Sequence, residues 1–270
     1  MVTQLARLFA GQREPARPVC VLTAEHPWSA GSRFTPLDLQ ALAASAAGEK
    51  AWADLESRMQ RFWEASSSDQ AKRTGGKFQL WEPAETTIGG VTFVSPKIGR
   101  HIRPLVAGPV TPEVEIPVGR PCTRIHILGN VTLPAGYPGR GVLLGSHLRW
   151  RERDGRTFDE ADLPWFELGA RLGCYCVHYA DGTVEEFPLR HGYEVARANL
   201  IQDATRVDPI AGRAPRALLY VKDVAREQYQ ALLYTLPAGG REVERITCRV
   251  EAPRLCLALF AVTLEQEVTP

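Results

Sequence analysis

The stretch CYCVHYADGTVEEFPL, from Cys174 to Leu189, decides the fold. In it, two runs of alternating apolar and polar residues flank the pair Asp181-Gly182. Glycine takes up the positive φ of a tight turn at no steric cost, so Asp-Gly between two such runs indicates a β-hairpin. The second strand must end or lie at a sheet edge near Pro188, because proline cannot donate a ladder hydrogen bond.

Residues two apart in a strand point to the same side of a sheet. One face of the first strand therefore carries Cys174, Cys176 and His178, and the other carries Tyr175, Val177 and Tyr179. We predict that the tyrosine face lines the core, and that the other face holds buried thiols beside a hydrogen-bonded histidine. Two thiolates and an imidazole could instead bind zinc, with His126 as a fourth ligand.

From residue 78 onward the chain repeats short apolar segments separated by glycine and proline turns. These segments cover residues 78–81, 91–94, 113–117, 123–133, 142–144, 170–180, 183–189, 217–221, 230–236, 243–250 and 255–264. No helix of crossover length separates them, which argues against a parallel α/β sheet. The pattern predicts a mainly β protein with an antiparallel sandwich or barrel.

Helical spacing is convincing only in residues 36–64. Thr35 and Pro36 are typical of an N-cap and a first helical residue, and Gly48 interrupts the apolar stripe. A second helix begins at about Glu49, and its apolar face consists of Trp52, Leu55, Met59, Phe62 and Trp63. We expect this face to pack on the sandwich, and a partner-binding helix is the alternative.

A polar, glycine-containing link at residues 65–77 is the best candidate for a boundary between two parts of the chain. It divides an irregular and helical N-terminal appendage, residues 1–77, from a β-sandwich, residues 78–270. The first 75 residues match no domain known to us.

The chain has 270 residues, with 32 Lys and Arg against 31 Asp and Glu, and a net charge of +1. This balance gives no electrostatic reason to expect nucleic acid or an anionic membrane as a partner. No apolar stretch approaches the ~20 residues of a membrane span, and the start has no secretory signal. Six cysteines without a Cys-x-x-Cys pair favour a cytoplasmic chain with reduced thiols, or a secreted one if it is a fragment of a longer protein.

Several segments resemble, in their order, the galactose-binding-like β-sandwich domains that accompany bacterial glycoside hydrolases. They are IGGVTF at 88–93, EIPVG at 115–119, IHILG at 125–129, YADGT at 179–183, PLRHG at 188–192, ALLY at 217–220 and AVTL at 261–264. The resemblance covers roughly residues 85–265. It implies an antiparallel jelly-roll sandwich, generally non-catalytic, that binds sugars or positions an adjoining catalytic domain.

The chain departs from that family at two places. Such domains often carry a Trp and an Asn-Pro pair on the penultimate hairpin, where this chain has YTLP at 234–237. The insertion at 145–168 is also unusually long. Both departures leave the location of a sugar site open.

Two loops are candidates for a carbohydrate ligand, because a sugar stacks its CH face on an aromatic ring while polar side chains bind its hydroxyls. Trp150 and Trp165 flank the polar insertion, where the alternative is a loop packed on its own aromatic residues. The turn after the hairpin is the second candidate, and its residues are Arg190, His191, Tyr193 and Asn199. The alternative for Arg190 is a structural role, tying the loop by hydrogen bonds.

No catalytic motif of high specificity occurs. Glu185 and Glu186 point to opposite faces of a strand and cannot act across one bond. There is no nucleophile elbow, Walker loop or dinucleotide fingerprint. We predict no cofactor; a structural calcium site is compatible with this fold, but no Asp/Asn spacing identifies one.

The sequence leaves three functions open. The first is a non-catalytic carbohydrate-binding or accessory module associated with polysaccharide-degrading enzymes. The second is a carbohydrate-active hydrolase or a fragment of one. The third is a structural or interaction protein without a sugar site. The predicted partners are a carbohydrate, and either a second copy of the chain or an adjoining catalytic domain.

Overall fold

Antiparallel β-sheets make up most of the structure, a computed structural model. It describes residues 31–66, 80–81, 85–88, 90–131, 149–151, 157–159, 169–195, 199–200, 216–221, 228–252 and 255–267. The segment predicted at 142–144, and nearly all of the link at 65–77, lie outside these ranges. Within the described ranges no helix combines the length and the apolarity needed to cross a membrane.

The described chain begins with one strand and two helices, and strands follow. In chain order they are β1 (Ser32–Pro36), α1 (Gln40–Ala43), α2 (Ala46–Ser66), β2 (Leu80–Trp81), β3 (Glu85–Ile88), β4 (Val91–Val94), β5 (Lys97–Ile98), β6 (His101–Ile102), β7 (Leu105–Ala107), β8 (Glu113–Pro121), β9 (Arg124–Val131), β10 (Arg149–Arg151), β11 (Thr157–Asp159), β12 (Arg171–Tyr179), β13 (Val184–Arg190), β14 (Asn199–Leu200), β15 (Arg216–Val221), β16 (Gln228–Pro237), β17 (Glu242–Val250) and β18 (Leu257–Glu267).

Two larger sheets organise these strands. The ten-stranded sheet has the order β1-β18-β9-β16-β15-β2-β6-β5, with β7 beside β18 and β14 beside β16. The four-stranded sheet has the order β13-β12-β17-β8, and two small ladders join β3 to β4 and β10 to β11. The strand pairings in these sheets are antiparallel, so the prediction of a mainly β, antiparallel protein is confirmed.

The main core lies between the inner faces of the ten-stranded and four-stranded sheets. It contains Tyr175, Val177 and Tyr179 of β12 with residues of β9, β16 and β18. The rings of Tyr175 and Tyr234 meet edge to face, with centroids 5.8 Å apart, an arrangement that the aromatic quadrupoles favour. The prediction that the tyrosine face lines the core is therefore confirmed.

A second cluster of buried side chains covers the opposite face of the ten-stranded sheet. Trp52 and Leu55 of α2 belong to it, together with Phe93 and with Phe260 of β18. Burying such an apolar stripe is what stabilises a helix of this kind in a protein. For these two residues α2 packs on the sheet as expected, while the side chains of Met59, Phe62 and Trp63 lie outside the described residues.

The start of the helical region differs from its prediction. Thr35 and Pro36 lie in β1, where Pro36 faces Thr263 of β18. Helix α1 begins four residues later at Gln40, whose backbone N–H donates to the Asp38 carboxylate at 2.9 Å. The capping signal at Thr35 and Pro36 did not start a helix, because the long-range pairing with β18 gives the backbone of these residues other partners.

Gly48 lies inside α2 and does not separate two helices. The break falls at Ser45, whose hydroxyl accepts a hydrogen bond from the Gly48 N–H at 3.1 Å, as an N-cap residue does for the third residue of its helix. A Cβ on Gly48 would lie 2.3 Å from the carbonyl oxygen of Leu42. Glycine is required here because the backbone of α1 approaches this position too closely for a side chain.

Strand β13 lies at the edge of the four-stranded sheet, paired on one side with β12. Pro188 therefore leaves no broken ladder in the sheet interior, as its missing N–H requires. The hairpin closes through a three-residue loop, in which the Tyr179 N–H donates to the Thr183 oxygen at 2.9 Å. Gly182 has a φ of +83° in this loop, so it supplies the left-handed residue of the turn.

Candidate functional site

The turn that leaves β13 holds the loop predicted to bind a ligand. Glu194 accepts hydrogen bonds from the backbone N–H and the Nε of Arg190, both at 2.9 Å, and also contacts Nη2. The Glu194 side chain is 5% exposed. The Arg190 guanidinium lies 5.0 Å from the centroid of the Tyr193 ring. Its hydrogen bond to Glu194 raises the pKa of Arg190, so the loop holds a fixed cation against an aromatic ring.

His191 ties this loop to the chain before β12. Its side chain is buried. Its backbone N–H donates to the Ala170 oxygen, and its own carbonyl accepts from the Gly169 N–H, both at 2.9 Å. The loop therefore sits at the end of the four-stranded sheet opposite to the Gly182 turn, and main-chain bonds fix its position.

The other predicted ligand residues are described only by their backbone or not at all. Trp150 lies in β10 opposite Phe158 of β11, and Asn199 lies in β14 opposite Tyr229 of β16; the side chains of both lie outside the described residues, as does the whole of Trp165. The structure thus brings Arg190, His191 and Tyr193 together, and the contribution of the others stays a prediction.

A second polar site lies on the outer face of the four-stranded sheet. The Sγ atoms of Cys174 and Cys176 are 3.6 Å apart. Glu186 faces Cys176 across the β12–β13 ladder, and its carboxylate lies within 4.8 Å of both thiols. Glu251 follows β17, and its Oε1 is 3.8 Å from the Cys174 sulfur. We call these four residues the cysteine–carboxylate cluster.

Two arginines join the carboxylates of this cluster. Arg171 donates through Nη2 to Glu186 at 2.7 Å, and through Nε and Nη2 to Glu251 at 2.6 and 2.7 Å. Arg249 donates through Nη2 to Glu186 at 3.0 Å and to Glu251 at 3.2 Å. Each carboxylate therefore binds both guanidinium groups, and the resulting Arg–Glu ring lies beside the thiols.

The thiols themselves are held away from water. Cys174 is fully buried and Cys176 is 6% exposed. Burial, together with the hydrogen bond to Cys176, raises the pKa of the Cys174 thiol to about 12, because a thiolate there would lose its hydration. Both groups are therefore neutral thiols near neutral pH.

Neither of the two histidines considered as zinc ligands belongs to the cysteine–carboxylate cluster. His178 shares the face of the cysteines, but its Nε2 is paired with the Thr247 hydroxyl at 2.9 Å. His126 lies in β9 of the other sheet, so the alternative of a zinc site with His126 as the fourth ligand beside Cys174 and Cys176 is wrong. The reason is topological, because β9 lies across the main core from β12.

His126 instead takes part in a buried network that the sequence reasoning missed. Its Nε2 lies 3.0 Å from a carboxylate oxygen of Glu265, and its Nδ1 lies 2.9 Å from the Thr235 hydroxyl. The second Glu265 oxygen accepts from the Ser32 hydroxyl at 2.5 Å and from Arg124 Nη1 at 2.7 Å. Glu265 and His126 are both fully buried. The sequence does contain a signal for this pair: a polar residue stands among the apolar residues of β9, and another among those of β18.

The network sets the ionisation of both groups. Burial by itself would raise the pKa of Glu265, but the three hydrogen bonds that the carboxylate accepts outweigh this effect and lower the pKa to about 2. Burial lowers the pKa of His126, although its bond to Glu265 acts in the opposite direction. The network is therefore a neutral imidazole and an ionised carboxylate, which links β1, β9, β16 and β18.

No protein-family model, curated protein or solved structure matches the chain.

Proposed function

We propose that the chain is a non-catalytic carbohydrate-binding or accessory module, with a jelly-roll sandwich of the galactose-binding-like kind. Two antiparallel sheets packed face to face support this proposal, as does the β12–β13 hairpin that carries its motif. An adjoining catalytic domain is the partner that such a module would serve.

The observation that carries the proposal is the rigid loop after β13. Arg190 is held by the buried Glu194 and stacks on Tyr193. Sugar sites require an aromatic surface and polar groups held in place before the ligand arrives, because ordering them on binding would cost affinity. A loop fixed to a rigid sheet end meets this requirement.

A hydrolase is less well supported by the described carboxylates. Glu186 and Glu251 accept hydrogen bonds from the same Arg171 nitrogen, at 2.7 Å each. In a glycosidase pair, one acid must stay protonated and have a raised pKa. The hydrogen bond from Arg171 instead lowers the pKa of Glu251. This shift is the opposite of the one that a catalytic acid requires, which favours the non-catalytic function.

An assembly role for the helical region is less well supported than a ligand-binding role. Trp52 and Leu55 of α2 are buried against the ten-stranded sheet, so these side chains are already covered within one chain.

Titration calorimetry against plant and algal polysaccharides, after a glycan-array screen, tests the proposal. We expect at least one polysaccharide to bind, and Tyr193→Ala to weaken its binding about tenfold, a loss of about 1.4 kcal/mol. Val184→Ala is the control, because this side chain is exposed at the opposite end of the hairpin, and it should bind normally. Absence of binding to every glycan would refute the proposal, and so would equal affinities for the wild-type protein and both variants.

A further inference from the structure

From the cysteine–carboxylate cluster we infer that the outer face of the four-stranded sheet is a binding site for a thiophilic divalent cation, of which Zn²⁺ is the commonest in proteins. This inference does not depend on a carbohydrate ligand. It rests on the separation of the donor atoms, on their anchoring, on their charge balance and on their access to solvent.

The separation of the two sulfurs, and that of the Cys174 sulfur from Glu251, fit one tetrahedral ion. Two sulfurs each ~2.3 Å from zinc are about 3.8 Å apart at the tetrahedral angle, and a sulfur and a carboxylate oxygen are about 3.6 Å apart. The Cys174 and Cys176 sulfurs are 3.6 Å apart, and Glu251 Oε1 is 3.8 Å from the Cys174 sulfur. The two sulfurs and the Glu186 carboxylate, whose donor atoms lie within 4.8 Å of one another, would supply three ligands. Glu251, next to the Cys174 sulfur, would supply the fourth ligand of a closed site, as structural zinc ions prefer.

The donors are anchored on three adjacent segments of a rigid sheet. Both cysteines lie in β12, which is paired on both sides, by β13 and by β17. Glu186 is held directly opposite Cys176 by the ladder. The Glu251 backbone N–H donates to the Leu172 oxygen at 2.9 Å, which holds the end of β17 beside β12. The backbone of these donor residues is therefore already ordered before the ion binds.

The net charge of the site is zero both with and without the ion. In the free protein, two carboxylates face the two guanidinium groups of Arg171 and Arg249, beside neutral thiols. When a divalent cation binds, each thiol transfers its proton to solvent and forms a metal–sulfur bond, with no electron transferred. The two added positive charges then match the two new thiolates, so the buried site stays neutral overall and avoids the cost of an uncompensated charge.

The Arg–Glu ring would orient the carboxylates. Glu251 Oε1 accepts hydrogen bonds from Arg171 at 2.7 Å and from Arg249 at 3.2 Å. Each carboxylate oxygen offers about two lone pairs, so this oxygen would exchange its longer bond, to Arg249, for the ion and keep its bond to Arg171. Metal-bound carboxylates are commonly hydrogen-bonded in this way. The ion would approach from the surface, because the Glu186 and Glu251 side chains are 41% and 31% exposed.

The test uses the full, untagged chain, reduced, treated with a chelator and desalted. Zn²⁺ binding is measured by competition with a chromophoric chelator, and metal content by mass spectrometry. We expect one Zn²⁺ per chain in the wild-type protein. We expect Cys174→Ser and Cys176→Ser each to weaken binding at least about 100-fold, and Glu251→Gln about tenfold. Cys122→Ala removes a buried thiol outside the cluster and should leave Zn²⁺ affinity unchanged.

A measurement on the wild-type protein keeps the test decisive if a cysteine variant fails to fold. X-ray absorption of the Zn²⁺-loaded chain should show two sulfur ligands and two oxygen ligands. A reduced wild-type protein that binds no Zn²⁺ overturns the inference. So does a first shell without sulfur, or an equal loss of affinity in Cys122→Ala and in the cluster variants.

Discussion

Replacing Glu265 by glutamine measures how much one buried carboxylate stabilises the fold. The residue lies in β18, fully buried, and accepts hydrogen bonds from Ser32, Arg124 and His126. Glutamine keeps the shape of the side chain and one acceptor oxygen. It removes the negative charge and presents an NH₂ group to the imidazole. The perturbation is therefore electrostatic, with little change in packing.

The magnitude follows from the ionisation of the carboxylate. Its pKa is about 2 in the folded protein and 4.5 for an ordinary Glu, and one pKa unit corresponds to about 1.4 kcal/mol. The ionised form therefore stabilises the native state by about 3 kcal/mol at pH 7. Because the folded pKa is the lower one, this stabilisation is complete above pH ~4.5 and is lost as the pH falls towards 2. At pH 3 about 1 kcal/mol remains.

Urea denaturation followed by far-ultraviolet circular dichroism, at pH 7 and at pH 3, provides the assay. We expect Glu265→Gln to lower the free energy of unfolding by about 3 kcal/mol at pH 7, and by less than half of that at pH 3. Glu267→Gln is the matched control on the same strand, since Glu267 is 49% exposed and 3.6 Å from Arg124; it should cost less than about 1 kcal/mol. Equal losses for the two variants at pH 7, or a loss for Glu265→Gln that does not depend on pH, would refute the reasoning.

Two further substitutions test local features. Alanine for glycine usually stabilises a helix interior by up to about 1 kcal/mol, but a Cβ on Gly48 would lie 2.3 Å from the Leu42 oxygen. We therefore expect Gly48→Ala to lose about 1–3 kcal/mol in urea denaturation, and a more stable variant would contradict the close approach. Arg190→Ala leaves the buried carboxylate of Glu194 without its guanidinium, so thermal denaturation should show a loss of about 3 kcal/mol. Arg245→Ala breaks only exposed ion pairs and should cost less than about 1 kcal/mol; equal losses would show that the burial of Glu194 does not matter.

Much of the strand pattern could be predicted from the sequence. The segment expected at 91–94 is β4, and those at 170–180, 217–221 and 243–250 agree with β12, β15 and β17 to within one residue at each end. Alternation is a local property, and a half-buried strand shows it wherever the strand lies in a sheet. The capping signal at Thr35 and Pro36 failed because pairing with β18, more than 200 residues away, gave those backbone groups other partners.

The cysteine site could be predicted in part. Alternation placed Cys174 and Cys176 on one face, but it could not identify Glu186 as their neighbour. With a two-residue turn the residue opposite Cys176 would have been Phe187, and the three-residue loop at Gly182 places Glu186 there. Glu251 joins from the end of β17, and the order of the strands in the sheet brings it there.

The sequence by itself determined the antiparallel β class, the hairpin at Asp181-Gly182 and the face of β12 that lines the core. Each of these follows from residues a few positions apart. Only the tertiary structure decided which polar groups meet. His126 and Glu265 are 139 residues apart in the chain, and the cysteines of β12 meet Glu251 because β17 lies beside β12. Register and strand order arise from packing whole sheets against one another, and no local pattern contains that information.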